Sequence, residues 1–300
     1  MSGKTSGTTV NSAILLLILG NALAMGSDIV IKFMDPGAPV FQFAFLRNLV
    51  TVSLLMPLLK RTEYRHFFRG FRIHLIRSHI LLVALVCMVV ALTNLPLATA
   101  NAVFYVAPVV LMVLSVVVYR ESLSPLSVLA VVSGFLGVLV ILRPTSLDIA
   151  AVAALGTAVC LAIGALMVRR LPSEQSTLHM LVLNSMLVLP AGLALALWED
   201  AAWRWEVVAC AAGSALFILG YNASVLKSYK YVDASQVTSA EYTGLLWAIL
   251  AGWLIFGEVP DLWFITGSLM IVTPLLMIGL NQRRKRRLIQ VQPVTDSPGA

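Results

Sequence analysis

Ten apolar stretches, each long enough to cross a bilayer and each cut off from the next by a short charged or turn-forming segment, leave this chain little else to fold into. They run over about residues 12–33, 38–59, 78–95, 98–119, 124–142, 149–168, 177–198, 205–222, 233–256 and 262–280. A hydrocarbon core about 30 Å thick is crossed by about 20 residues of helix, so ten spans take about 200 of the 300 residues. What remains is too short for a water-soluble catalytic domain. Inside lipid every backbone N–H and C=O must be satisfied within the protein, which restricts spanning segments to helices and closed barrels. Runs of this length select helices. Composition agrees, with 59% of residues apolar and 12% charged, against roughly a quarter charged in a soluble chain.

Lysine and arginine resist transfer across the membrane, so their distribution sets orientation. With the N-terminus in the cytoplasm, the inner side receives Lys4, the six basic residues from Lys60 to Arg77, Arg120, Arg169, Arg170, Lys227, Lys230 and the cluster Arg283 to Arg287, which is 17 of the 21. Lys32, Arg143 and Arg204 fall outside, and Arg47 lies within a span. Nine or eleven spans would put one of the two heavily basic segments outside, so ten spans and cytoplasmic termini are expected. The net charge of +7 is then an orientation signal, and basic residues spread over short loops offer no face to nucleic acid.

Lys4 followed by an apolar run and Ala22-Leu23-Ala24 has the outline of a signal peptide, but the run continues into Asp28 and Lys32, and a first span is expected instead. Cys87, Cys160 and Cys210 all lie within apolar runs at no metal-ligand spacing, and read as packing residues with no disulfide. From Asn281 onward a basic run and a polar, Pro-containing end predict a disordered tail whose cations rest on anionic headgroups.

Sliding the chain on itself by 137 residues aligns Tyr119-Arg120-Glu121-Ser122-Leu123 with Phe256-Gly257-Glu258-Val259-Pro260. The same shift places Tyr105 on Tyr242, Asn101 on Thr238 and Lys32 on Arg169. Five spans per repeat is an odd number, so the two repeats must enter the membrane with opposite orientation. Inverted repeats are the usual architecture of carriers that expose a midplane site to each side in turn.

The segment from Ala98 to Pro144, with Pro108, the Tyr-Arg-Glu-Ser-Leu ending and then Gly134 and Gly137, resembles the EamA repeat of the drug/metabolite transporter superfamily. So does Glu241-Tyr242-Thr243-Gly244-Leu245-Leu246-Trp247-Ala248, running on to Phe256-Gly257-Glu258, although Leu245 stands where Pro108 aligns. The resemblance covers about 12 to 280 and implies a ten-helix carrier of the bacterial inner membrane with a central cavity, export favoured over import, and coupling to protons or exchange. The division expected is a cytoplasmic N-terminus over 1–11, a first repeat over 12–144, a second over 145–280 and the tail over 281–300.

Charge in the hydrocarbon core costs about 3 kcal/mol on insertion scales, so an ionisable residue there needs a partner, a wet cavity or a use. Glu241 stands about seven residues into its span, amid Thr238, Ser239, Tyr242 and Thr243, and is the favoured site for a cationic group or a proton. Arg47 lies too deep to reach water by extending its chain, and its planar fork suits a carboxylate or phosphate. An internal ion pair with Asp28 on the neighbouring helix is the equal alternative. Asp28 and Lys32 are four apart on one helix face, and an interfacial pair between them is expected. Tyr105 and Tyr242 are expected to face the cavity, and Asn101 gains from its match with Thr238. Trp247 is a candidate for stacking on a flat cargo, with packing in an apolar helix the favoured role. Asn48, Asn94, Asn184 and His179 read as bonds between helices, and Trp198, Trp203, Trp205 and Trp263 as an interfacial belt.

Several chemistries are missing from the sequence. Gly3-Lys4-Thr5 lacks the upstream glycine of a phosphate-binding loop, so no ATP site is expected, and no cofactor or metal motif occurs. Asn222-Ala223-Ser224 fits a glycosylation pattern but falls on the cytoplasmic side. A polytopic enzyme acting on lipid-linked substrates would need a cluster of acids or histidines at one interface, and only Glu199-Asp200 comes near. The expectation is therefore a carrier, not an enzyme. Its cargo would be a zwitterionic or carboxylate-bearing metabolite, such as an amino acid, an S-adenosylmethionine-like compound or an amino-acid-derived metallophore, held between Glu241 and Arg47.

Overall fold

In the computed structural model, residues 7–59, 67–143, 148–172, 175–231 and 243–291 are described. Their regular structure is helical: α1 (Gly7–Lys32), α2 (Val40–Leu55), α3 (Phe71–Asn94), α4 (Leu97–Phe104), α5 (Ala107–Tyr119), α6 (Pro125–Leu142), α7 (Ile149–Val168), α8 (Thr177–Trp198), α9 (Trp205–Tyr231), α10 (Thr243–Phe256) and α11 (Leu262–Val291). With α4 and α5 taken as one stretch, nine helices among the described residues are long and apolar enough to cross a membrane. The tenth, α10, is described only from Thr243.

Local chemistry sets the helix ends and the break between α4 and α5. Ser124, Asp148, Ser176 and Asp261 cap the helices that follow them, each side chain accepting from a backbone N–H of the first turn. Pro39 offers α2 no such oxygen, and the carboxylate of Glu199 takes its place, accepting from the N–H groups of Phe41 and Gln42 at 3.1 and 2.9 Å. That acid is a helix cap. Pro108 has no N–H to give and sits in the first turn of α5, directly after the break at Tyr105 and Val106. Leu245, its equivalent, lies in the first described turn of α10. The last helix runs past the predicted boundary at Asn281 to Val291, because Gln, Arg, Lys and Leu all favour helix.

Helices pair in symmetric sets. The first span of each repeat packs on the third span of the other, α1 with α9 and α7 with α3. Small residues permit these close crossings, Gly20, Gly26 and Gly220 in the first and Gly156 and Gly164 in the second. The second spans, α2 and α8, pack on each other, as do the fifth spans, α6 and α11. At the α6–α11 crossing Ser133 donates to the Met270 carbonyl at 2.5 Å, and these two residues are 137 apart, so the axis relating the repeats passes between them.

The two ends of the bundle differ. At the end carrying Lys32 and Glu258, the largest buried cluster closes the space between helices, with Met25, Ile31, Phe43, Val89, Leu92 and Ala211 among its members. A cavity lies between this cluster and the end carrying Glu121 and Arg169.

Candidate functional site

A cavity of about 450 Å3 lies among α1, α2, α3, α7, α8 and α9, within the size range of small-molecule sites. Its walls are largely aliphatic, and Asp28, Arg47, Asn48, Asn184 and Asn222 bring polar groups to it from four helices. Asp28 marks its end nearest Lys32, and Ser78, Leu181 and Asn222 line it toward the opposite end.

Arg47 reaches the cavity from the middle of α2. Its Nη1 is buried and has no hydrogen-bond partner among the described residues. Asp28, 9% exposed, is the opposite charge that acts on it, yet the two do not come within the 4.0 Å of an ion pair. A guanidinium in a low-dielectric interior without a bonded acceptor is costly. It is also poised for an anionic group entering the cavity. The neighbouring polar residues of α2 do not satisfy it, since Asn48 and Thr51 donate to the carbonyls of Ala44 and Arg47 at 2.8 and 2.9 Å.

Asn184, expected to join helices, makes no side-chain hydrogen bond to the described residues. Its Oδ1 is buried without a partner at the wall of the same cavity. Asn101, 8% exposed, lies beside Asp28 and donates to the Leu97 carbonyl at 3.1 Å. It supports the acid from behind the cavity wall.

Other expected site residues lie elsewhere. Tyr105 closes α4 at the break, with its hydroxyl against Gly244, where a Cβ would overlap it. Asn21 alongside donates to Thr243 Oγ1 at 3.1 Å, so these residues knot α1, α4 and α10 together away from the cavity. Trp247 packs against the core and donates its indole N–H to the Ile18 carbonyl at 3.1 Å. Glu241, Tyr242 and Thr238 lie outside the described residues.

Lys32 does not pair with Asp28. Its ammonium meets Glu258 at 3.0 Å and donates to the Leu95 carbonyl at 2.5 Å. The i, i+4 spacing on α1 is worth only a few tenths of a kcal/mol, and a partly buried carboxylate in the turn after α10 outcompetes it. His179 is held by the Phe67 carbonyl at 2.9 Å and stacks on the Phe67 ring. Thr51 and Tyr221 line the cavity without having stood out in the sequence, and so does Asn222, marked there only as part of a glycosylation pattern.

Both halves of the chain, residues 11–143 and 148–280, match the model of the EamA-like transporter family. The chain is 28% identical to a riboflavin transporter of Vibrio cholerae, over 93% of this chain and 96% of that one. It is 23% identical to an S-adenosylmethionine uptake transporter of Rickettsia prowazekii, over 86% and 89%, and 23% identical to a pseudopaline exporter of Pseudomonas aeruginosa, over 92% and 98%. A solved crystal structure shares the fold at a TM-score of 0.53 and 19% identity, covering 94% of this chain and 99% of that one.

Proposed function

Because the chain belongs to the EamA-like transporter family, we propose that it is a secondary carrier whose cargo is a zwitterionic or carboxylate-bearing metabolite held in the cavity between Arg47 and Asp28. The observation that carries this reading is the buried Nη1 of Arg47, which lacks a partner among the described residues at the wall of a cavity of cargo size. A carboxylate accepting from that guanidinium supplies the missing bond. A cationic or N–H group of the same molecule faces Asp28, and Asn184 accepts from a further donor. The relatives are named for uptake and for export alike, so the proposal concerns cargo and site rather than direction.

The excess of basic residues in alternate loops supports cytoplasmic termini in a bacterial inner membrane. On that orientation the cavity lies in the cytoplasmic half of the protein, and the described conformation faces inward.

The test is flux of labelled amino acids, S-adenosylmethionine and riboflavin into proteoliposomes, with and without a pH gradient. Saturable flux of an anionic or zwitterionic member of this panel, competed by its analogues, supports the reading. Transport confined to cargoes with no anionic group overturns the role given to Arg47.

A further inference from the structure

Two ion pairs at opposite ends of the bundle are related by the same 137-residue shift that relates the repeats. Lys32, at the end of α1, pairs with Glu258, in the turn after α10. Arg169, at the end of α7, pairs with Glu121, in the turn after α5. Lys32 and Arg169 are equivalent positions, and so are Glu258 and Glu121. Each pair therefore joins the first span of one repeat to the end of the fourth span of the other.

The likeness extends to the surroundings. Lys32 lies 5.7 Å over the ring of Phe256 and Arg169 lies 5.2 Å over that of Tyr119, again equivalent residues. Both acids follow a left-handed residue, Gly257 at φ 65 and Arg120 at φ 55. Both turn their N–H back to the carbonyl six residues earlier, Glu258 to Gly252 at 2.9 Å and Glu121 to Ser115 at 3.5 Å.

What differs is burial. The side chains of Lys32 and Glu258 are 13% and 19% exposed, whereas those of Arg169 and Glu121 are 51% and 46% exposed. The first pair is also bonded to the backbone, with Lys32 donating to the Leu95 carbonyl and the Leu97 N–H donating to Glu258 at 2.6 Å. It sits where the apolar core closes the bundle, and the exposed pair sits at the end toward which the cavity extends.

The geometry points to a pair of reciprocal latches: Lys32–Glu258 and Arg169–Glu121 exchange environments when the carrier switches. In the described conformation the Lys32–Glu258 latch is shut. In the opposite-facing conformation the two repeats trade arrangements, the Arg169–Glu121 pair becomes the buried one, and Lys32–Glu258 opens to water. A buried, multiply bonded pair holds its helices together far more firmly than a half-exposed one. Gaining one such pair as the other is released keeps the two conformations close in free energy, so neither becomes a trap. This inference rests on the carrier reading but not on the identity of the cargo.

The experiment is pulsed electron spin resonance on protein in lipid nanodiscs, with Cys87, Cys160 and Cys210 replaced by alanine. Spin labels at Gly37 and Val259 report on the Lys32 end, and labels at Ser122 and Lys227 on the opposite end. Glu258→Gln and Lys32→Gln should each lengthen the first distance by several ångströms and shorten the second. Glu121→Gln should leave the first unchanged, and the exchange Lys32→Glu with Glu258→Lys should restore it. Should Glu258→Gln accumulate poorly, Lys32→Gln, which keeps the Leu97 bond to Glu258, carries the same prediction. An unaltered Gly37–Val259 distance in Lys32→Gln, or a lengthened one that the charge exchange does not restore, overturns the latch. No cargo is needed for this readout, so a misassigned cargo leaves the result standing.

Discussion

Arg47 and Asn184, on the adjacent helices α2 and α8, each bury a polar atom at the wall of one cavity without a partner among the described residues. A fold selected for stability alone satisfies such atoms or replaces them with apolar ones. Keeping both costs stability, which on the proposed reading binding of a cargo recovers. Function and stability should therefore separate on mutation.

Asn184→Leu and Arg47→Met should each lower transport at least about tenfold, the loss of a bond worth ~1.5 kcal/mol or more. Melting temperature in detergent should hold or rise in Asn184→Leu, because an unsatisfied buried group has been removed. A fall in melting temperature in both variants would mean that the two residues hold the fold instead.

Arg47→Lys keeps the charge and loses the planar fork, so a carboxylate is gripped less well. A rise in KM of about 10- to 100-fold with kcat changed less is expected. Initial-rate measurements over a range of cargo concentrations separate the two.

Trp247→Phe removes the donor to the Ile18 carbonyl and nothing at the cavity. Stability should fall by about 1 kcal/mol with KM unchanged. Thermal melting and cargo titration of one preparation check both halves.

Arg120 and Gly257 hold the same left-handed conformation, one with a side chain and one without. Arg120→Gly should stabilise by up to about 1 kcal/mol and Gly257→Ala destabilise by about as much, since a Cβ is unfavourable at positive φ. Denaturation of matched samples measures both.

Hydropathy made the spans legible, and the 137-residue register survived into the structure at the caps Ser124 and Asp261 and at the contact of Ser133 with Met270. The partner of Lys32 was not legible. Spacing along one helix pointed to Asp28, whereas Glu258 is brought to Lys32 only by the crossing of two repeats. Arg47 stood out because a charge in an apolar run is costly wherever it points. Asn184 did not, because a lone amide serves equally well as a bond between helices, and only the packing around it decides. Trp247 is the converse case, a ring suited to stacking whose N–H is taken by a carbonyl.

The central claim, that Arg47 grips an anionic group of the cargo, is tested most directly by flux into proteoliposomes holding equal amounts of the wild-type protein and of Arg47→Gln. With the cargo identified by the panel, the account predicts saturable wild-type uptake and a loss of at least about tenfold in the variant, with an uncharged analogue of the cargo transported equally poorly by both. Full uptake of the anionic cargo by a well-folded Arg47→Gln protein would contradict it.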